Sequence, residues 1–359
     1  MDKKGGEEGM SGKQPLVSLV LCVYNGEAFL RDTLDSIVGQ TYQNWELIVI
    51  DDCSTDSTPA ILAEYAARDK RVKINHNPEN LRLQKSLNRG LSFVTGKYIV
   101  RIDADDVCAL NRLERQVAFM EAHPELQLSY CRYLQLKNGA IVRVPFNMRG
   151  DAAAVHALLL VTNPVIHPGV IARADVICRM RYREDLTCTE DLALWQRMDR
   201  DGMKMAAQEE YLLLYRIHDK QISANSYARQ CDEFKRLARE HYRAMLFDLS
   251  DEQLAFLTTG MYFAEHIDVD RLIAFFDAMR RANRAKGLYR KSALEYAMME
   301  IVIKYKDQKI SRRDLIRLLK TFPPLYVARE LVRRKVNNQI GKRKLECMKT
   351  ATGKEYPWA

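Results

Sequence analysis

The chain has 359 residues, of which 47% are hydrophobic and 29% charged, and a formal net charge of +9. This balance is typical of a soluble globular protein and excludes an intrinsically disordered chain. No run of about 18 apolar residues occurs, which excludes a membrane-spanning helix. The length allows one large α/β domain and a smaller appendage.

The N-terminus and the cysteines indicate where the protein resides. Residues 1–14 carry charges and glycines without the apolar core of a signal peptide, and we interpret them as a flexible tail. The cysteines are scattered, with no Cys-x-x-Cys pair, and several lie in or beside apolar runs. Such cysteines behave as small buried hydrophobic residues in a reducing compartment, so a cytoplasmic location is expected.

Strand and helix patterns alternate through the first third of the chain. The first strand contains VSLVLCV, a run without polar alternation, as expected of a strand buried on both faces. Further strands are predicted at 45–50, 72–76 and 96–102, with helices at 29–37, 59–67, 83–94 and 112–121. This alternation predicts a parallel, doubly wound α/β sheet, in which ligands bind beyond the carboxyl ends of the strands.

The pattern changes after residue 230 and is helical almost throughout from 231 to 345. We therefore predict an α/β domain over 15–228 and an α-helical domain with a basic tail over 229–359. Because all-helical extensions commonly mediate dimerisation, a homodimer is an open alternative.

The basic residues of the chain are concentrated near its C-terminus. Between 311 and 349 only Asp314, Glu330 and Glu346 oppose a larger basic set: Arg312, Arg313, Arg317, Lys320, Arg329, Arg333, Arg334, Lys335, Lys342, Arg343, Lys344 and Lys349. Such a surface attracts phospholipid or nucleic acid. The structural alternative is a solvated helix face.

Three acidic residues follow the strand predicted at 96–102. Asp103, Asp105 and Asp106 repel one another unless a cation or a proton intervenes. Carboxylate oxygens suit Mg²⁺ or Mn²⁺, which also bind diphosphate oxygens. A solvated turn, or a helix cap formed by Asp106, is the structural alternative.

Three further places carry candidate residues. Asp51 and Asp52 follow the second strand, where a carboxylate can accept hydrogen bonds from a ribose or a base. The absence of GxGxxG after the first strand argues against dinucleotide binding. Glu190 and Asp191 open an amphipathic helix, where they either complement its dipole or supply a general base. His218 alone is more often structural than a ligand.

Taken in order, these segments resemble the inverting family 2 glycosyltransferases of the GT-A fold. The resemblance covers roughly residues 15–225 and rests on VSLVLCVYNGEAFL, WELIVIDDCSTDST, LNRGLSFVTGKYIVRIDADD, RLERQVAFMEAHPEL, TEDLALWQRM and YRIHDKQIS. It implies a Rossmann-like, mixed but mainly parallel sheet flanked by helices. The α-helical C-terminal extension that follows has no counterpart in this resemblance.

The resemblance also implies roles for individual residues. Those that would hold a nucleotide-sugar donor are Val23, Tyr24, Asn25, Asp52, Lys85, Asn88, Arg89, Asp103, Ala104 and Asp105. Asp105 and Asp103, completed by His218, would bind Mn²⁺ or Mg²⁺. Asp191, beside Glu190, would be the catalytic base, and His167 would lie near the acceptor. The family often has Pro-Thr where Cys22-Val23 stands here, so the contacts of Val23 are the least defined.

The implied activity is metal-dependent transfer of a sugar, usually from a UDP-sugar, with inversion at the anomeric carbon. The acceptor would be a hydroxyl of a glycan or lipid-linked saccharide in bacterial cell-surface polysaccharide or lipopolysaccharide synthesis. For a lipid-linked acceptor, the basic tail would dock peripherally on the anionic inner face of the plasma membrane. Nucleic acid is not expected as a partner. The sugar, the acceptor and the linkage are not predicted.

There are three alternatives to a glycosyltransferase of this family. A sugar nucleotidyltransferase would be expected to carry a glycine- and arginine-rich phosphate loop after the first strand, and the sequence has none there. A processive polysaccharide synthase would normally add membrane spans and a Gln-x-x-Arg-Trp segment. A degenerate transferase fold that only binds membrane or nucleic acid is the non-enzymatic alternative, and the intact acidic set argues against it.

Overall fold

The computed structural model describes residues 14–143, 150–219, 221, 227–245, 267–305 and 310–350. Apart from Gln14, the predicted N-terminal tail lies outside the described residues. The same holds for residues 351–359 at the end of the basic tail.

Within these ranges the strands form one mixed sheet of nine members. They are β1 Val17–Val23, β2 Trp45–Asp51, β3 Val72–His76, β4 Tyr98–Asp103, β5 Val107–Cys108, β6 Leu126–Lys137, β7 Ala140–Arg143, β8 Val170–Arg173 and β9 Lys204–Arg216. Their order is β3-β2-β1-β4-β8-β6-β9-β5, with β7 paired to β6. Strands β1 to β4 are parallel to one another, whereas β8 is antiparallel to both β4 and β6. The α/β class and the mixed sheet are therefore confirmed.

The helices of the α/β part flank this sheet. They are α1 Leu30–Val38, α2 Thr58–Arg68, α3 Arg82–Leu91, α4 Arg112–Ala122, α5 Ala152–Leu158, α6 Ala174–Met180 and α7 Glu190–Arg200. Alternate residues of β1 point to opposite faces, as strand geometry requires. Leu19 and Leu21 belong to the core beneath α1 and α2, and Val20 belongs to the core beneath α3. Both faces are thus covered, which explains the apolar run of β1.

A glycine allows α3 to approach β1 closely. A Cβ atom on Gly90 would lie 2.8 Å from Cγ1 of Val20. Any larger residue at this position would therefore push the helix away from the sheet.

The register of the parallel strands brings their carboxyl ends to one edge. Val23 pairs with Asp51, and Cys22 pairs with Asp103. The acidic residues after β2 and after β4 therefore share the edge at which ligands bind in sheets of this kind.

The C-terminal region is helical where it is described, as predicted. Its helices are α8 Tyr227–Met245, α9 Val269–Lys286, α10 Lys291–Tyr305, α11 Arg312–Leu319 and α12 Pro324–Thr350. Their buried side chains form one core with residues of α5, including Ala154, Leu158, Leu272 and Phe276. The helical region is therefore packed onto the α/β part, and the division at 228/229 stays a prediction.

Candidate active site

The carboxylates after β4 converge as the sequence predicts. Asp103 ends the strand, and one ligand atom each from Asp103, Asp105 and Asp106 lie within 4.8 Å of one another. Asp106 is fully buried, and its Oδ1 accepts a hydrogen bond from the backbone N–H of Arg216 at 2.9 Å. Burial, followed by the charges of Asp105 and Asp103, raises the pKa of Asp106 well above its ordinary range.

Two buried arginines hold this cluster in place. Arg101 is 5% exposed and pairs with the carboxylate of Asp103. The Nε of Arg216 donates to the carbonyl oxygen of Asp105 at 2.7 Å, and its guanidinium also pairs with Asp32 at 2.8 Å. The turn that carries the carboxylates is therefore fixed by charge-assisted hydrogen bonds from both sides.

His218 joins the cluster from the segment after β9. Its Nε2 lies 2.8 Å from Oδ2 of Asp105, and its ring lies against Phe29 with centroids 4.9 Å apart. The structure thus brings His218 to the acidic cluster, and its predicted role in completing a metal shell stays a prediction.

These side chains fit a divalent cation. Among the residues that the structure describes, none forms a hydrogen bond with the buried Oδ2 of Asp106, although a buried carboxylate oxygen normally has a partner. A cation beside Asp103 and Asp105 would offset the repulsion among the three carboxylates. Carboxylate oxygens are the ligands that Mg²⁺ and Mn²⁺ prefer in proteins.

The acidic motif opens α7 and lies partly buried. Oδ2 of Asp191 accepts a hydrogen bond from Nδ2 of Asn163 at 2.8 Å, and its Oδ1 accepts one from the N–H of Leu192 at 2.6 Å. Burial and the neighbouring charge of Glu190 raise the pKa of Asp191. A carboxylate with a raised pKa is better matched to proton transfer than an ordinary one.

Glu190 faces away from the solvent. It is 6% exposed, and burial raises its pKa. Its Oε2 accepts a hydrogen bond from Nε2 of Gln84 at 3.3 Å, and its Oε1 lies 3.6 Å from Nδ1 of His167. Glu190 is therefore enclosed by protein, whereas the side chain of Asp191 is partly exposed, and the catalytic roles predicted for both stay predictions.

His167 lies in a turn between β4 and the acidic motif of α7. It is buried, its Nε2 lies 2.9 Å from the hydroxyl of Tyr182, and its ring packs edge-on against Trp195. Burial and the charge of Arg101 lower its pKa to about 3, so the ring is neutral at pH 7. The turn at His167–Gly169 packs against β4, which ends at Asp103, and the ring lies beside Glu190, the residue before Asp191, so His167 lies between the two acidic segments.

The ends of β1 and β2 contain the predicted base-binding residues. Tyr24 is 52% exposed, whereas Val23 is buried. Asn25 adopts a left-handed backbone with φ of 52°, and its Oδ1 accepts the N–H of Thr55 at 2.8 Å. Asp52 is buried and accepts hydrogen bonds from the N–H groups of residues 81 and 82 at 2.8 and 2.9 Å. It therefore also fixes the start of α3.

The three predicted residues of α3 differ in their surroundings. Lys85 is exposed. Asn88 is buried, and its side chain binds the backbone of Tyr182 through both its oxygen and its nitrogen. Arg89 donates to the carbonyl of His76 at 2.8 Å. Asn88 and Arg89 thus form hydrogen bonds within the protein. The nucleotide-binding roles predicted for Lys85, Asn88 and Arg89 stay predictions.

The sequence analysis missed four residues that orient this site: Gln84, Arg101, Asn163 and Arg216. Arg101 has a readable signal, because a charge inside an apolar strand needs a buried partner. Arg216 lies two residues before His218 in the same motif, but the resemblance assigns a role only to the histidine. Gln84 and Asn163 have no sequence signal, since each meets the acidic motif only through the fold.

The comparisons with known proteins decide the family. Residues 18–158 match the family described as Glycosyl transferase family 2. An uncharacterized glycosyltransferase of Haemophilus influenzae is 34% identical over 241 residues, which cover 63% of this chain and 73% of that protein. The chain belongs to glycosyltransferase family 2. The predicted resemblance and enzyme class are confirmed, and the sugar nucleotidyltransferase alternative is excluded.

This glycosyltransferase is also similar to a relative with a named reaction and to a solved structure. A UDP-Glc:α-D-GlcNAc-diphosphoundecaprenol β-1,3-glucosyltransferase of Escherichia coli is 33% identical over 127 residues, covering 35% of this chain and 49% of that protein. TarS of S. aureus, solved with UDP-GlcNAc, is 18% identical with a TM-score of 0.56, covering 82% of this chain and 93% of that one.

A mannosyltransferase from Pyrobaculum calidifontis, solved with GDP-Man and Mn²⁺, is 16% identical with a TM-score of 0.53. That match covers 92% of this glycosyltransferase and 84% of the mannosyltransferase. At these identities the likeness concerns the fold alone, and it confirms the GT-A architecture.

Within the part of the chain that the structure describes, every helix is either too short or too polar to span a bilayer.

Proposed function

We propose that this glycosyltransferase moves a sugar from a nucleotide diphosphate donor, a UDP-sugar in the first instance, to an acceptor hydroxyl with inversion. The observation that carries the proposal is the convergence of three carboxylates after β4, beside a turn at 167–169 that packs on β4 and contacts the acidic motif of α7 through His167 and Glu190. One group suits a cation and a diphosphate, and the other suits proton transfer. The UDP-GlcNAc complex of TarS and the UDP-Glc activity in the name of the E. coli relative support the choice of UDP.

The mechanism follows from the positions of these side chains. The sugar would lie between the cluster after β4 and Asp191. Asp191 takes the proton of the acceptor hydroxyl while the hydroxyl oxygen bonds to the anomeric carbon on the face opposite the diphosphate. The bond from that carbon to the diphosphate oxygen breaks, so the configuration inverts and a nucleoside diphosphate leaves. Arg101 and Arg216 keep the carboxylates of the donor site oriented throughout.

Asp103 and Asp105 would hold a divalent cation, with His218 beside Asp105. When bound, such a cation neutralises the negative charge that develops on the diphosphate. The Mn²⁺ complex of the P. calidifontis enzyme supports Mn²⁺ as the first ion to test, with Mg²⁺ as the alternative.

A panel experiment tests the proposal. UDP-glucose, UDP-N-acetylglucosamine and GDP-mannose are incubated with the enzyme and Mn²⁺, Mg²⁺ or EDTA, and nucleoside diphosphate release is measured. We expect metal-dependent release from one donor, with UDP-sugars preferred, and loss of release in Asp191→Asn. Absence of both release and thermal stabilisation with every donor and ion would favour the non-enzymatic alternative, a degenerate transferase fold.

The acceptor proposed is a lipid-linked saccharide used in polysaccharide synthesis at a membrane surface. Exposed apolar residues recur along α12 at the spacing of one helix face: Leu325, Val332 and Val336 are 87%, 63% and 45% exposed. Exposed Arg329 and Lys335 accompany them. An apolar and basic helix face suits an anionic bilayer surface, and the diphosphoundecaprenol substrate named for the E. coli relative supports a lipid carrier.

Vesicle sedimentation tests this surface. We expect the enzyme to pellet with phosphatidylglycerol vesicles and to remain in the supernatant with phosphatidylcholine vesicles. Replacing Leu325 and Val332 with serine should abolish pelleting. Leu288→Ser, at a leucine 43% exposed between α9 and α10, is the matched control. Equal pelleting of all forms would remove α12 as the membrane contact.

A further inference from the structure

The first helix of the C-terminal region contacts the loop that precedes the acidic motif. Glu233 lies in α8, and its carboxylate accepts three hydrogen bonds from consecutive residues of that loop. The donors are the N–H of Thr187 at 2.7 Å, the N–H of Cys188 at 2.9 Å and the hydroxyl of Thr189 at 2.9 Å. A carboxylate suits these donors because it has four acceptor sites and no hydrogen of its own.

The loop leads directly into the proposed base. Thr189 is the N-cap residue of α7, and its side chain makes no capping bond to its own helix; its hydroxyl donates to Glu233. The carbonyl of Thr187 accepts a hydrogen bond from Gln84 of α3 at 2.9 Å. The loop is therefore held by α3 on one side and by α8 on the other, and Asp191 follows two residues after Thr189.

The other contacts of α8 in this area are of a different kind. Glu240 pairs with Arg183 at 2.6 Å, and Arg236 pairs with Asp185 at 3.0 Å. All four side chains are between 26% and 50% exposed, and pairs of this kind contribute little to stability. These two ion pairs join α8 to Arg183 and Asp185. Glu233 differs from them because it contacts residues 187–189, which lie next to the acidic motif.

We propose that Glu233 is a positioning residue for Asp191. By fixing residues 187–189 it sets the first turn of α7, from which the Asp191 carboxylate meets the acceptor. The helical region is then part of the catalytic apparatus. The inference rests on the proposed role of Asp191 as the base. The carboxylates of the donor site come from β2 and β4, so Glu233 acts on turnover rather than on donor binding.

The test compares Glu233→Gln with Glu240→Gln, which removes a carboxylate from the same helix without touching residues 187–189. Both are assayed for hydrolysis of the preferred donor among UDP-glucose, UDP-N-acetylglucosamine and GDP-mannose, with Mn²⁺ present. We expect Glu233→Gln to lower kcat roughly 10- to 100-fold, the effect of a misplaced catalytic group. The donor KM should change by less than about twofold, and Glu233→Asp should restore part of kcat. Glu240→Gln should retain wild-type values.

A second readout does not depend on turnover. Hydrogen exchange of the amides of residues 187–191 should accelerate in Glu233→Gln and stay unchanged in Glu240→Gln. If Glu233→Gln fails to fold, Thr189→Val against Thr189→Ser replaces it, because only valine removes the hydroxyl bond. Wild-type kcat and exchange in a folded Glu233→Gln or in Thr189→Val would overturn the inference. Asp191→Asn is run in parallel: if it stays active the proposed base is wrong, whereas its inactivity beside an active Glu233→Gln rejects only the role of Glu233.

Discussion

Asp105 and His218 are 113 positions apart in the sequence, and Nε2 of the histidine lies 2.8 Å from Oδ2 of the aspartate. The pairing of β5 with β9 brings them together, because Val107 lies opposite Leu214. Arg216, between that strand pair and His218, binds the backbone carbonyl of Asp105. The middle and the end of the α/β part are thereby joined at the proposed cation site.

Asp105→Ala should weaken Mn²⁺-dependent binding of UDP at least about tenfold, equivalent to about 1.4 kcal/mol, because a carboxylate proposed to hold the cation is lost. Isothermal titration calorimetry with and without EDTA measures the effect. His218→Ala should show a smaller loss, since the carboxylates remain. Equal UDP affinity for the wild type with Mn²⁺ and with EDTA would contradict the cation site.

Asp191→Asn should lower kcat by about 10²- to 10⁴-fold, the contribution typical of a general base, because the amide cannot take the proton. UDP binding should be unchanged, since Asp191 belongs to a different segment from the donor carboxylates. Steady-state kinetics and UDP titration measure the two effects. Turnover near the wild-type rate would remove Asp191 from the role of base.

The activity should fall as the pH decreases through the raised pKa of Asp191, because the base acts only when it is deprotonated. The acid limb of kcat should therefore lie above the ordinary aspartate value of about 3.9. The charge of Glu190 raises the pKa of Asp191, and His167 acts on it in the opposite direction. Asn163 donates a hydrogen bond to the Asp191 carboxylate. Glu190→Gln should move the limb to lower pH at saturating Mn²⁺. A limb that stays in place would show that another group titrates.

Phe276→Ala should destabilise the enzyme by about 3–5 kcal/mol, the range for deleting a buried aromatic side chain. Phe276 is fully buried in the core shared by the C-terminal helices and α5, with its ring centroid 5.8 Å from that of Phe322. Urea unfolding measures the loss. The matched control is Leu325→Ala, which removes an 87% exposed side chain and should change stability by less than about 0.5 kcal/mol.

The sequence by itself determined the α/β alternation, the first four strands and the acidic residues that follow β2 and β4. These features are local: an apolar run makes a buried strand, and polar residues end it. The sequence motifs also indicated the family and pointed to Asp191 as the candidate base. Strands β5 to β9 were not predicted, because their pairing depends on partners distant in the sequence and not on a local pattern.

Only the tertiary structure decided which side chains support those residues. Asn163 reaches Asp191, and Glu233 reaches the loop before it, from segments whose sequences indicate no such contact. Such hydrogen bonds depend on how α5, α7 and α8 pack, and packing follows shape complementarity throughout the chain. Residue identity supplied the reactive groups, and the packing of distant segments gave them their orientation.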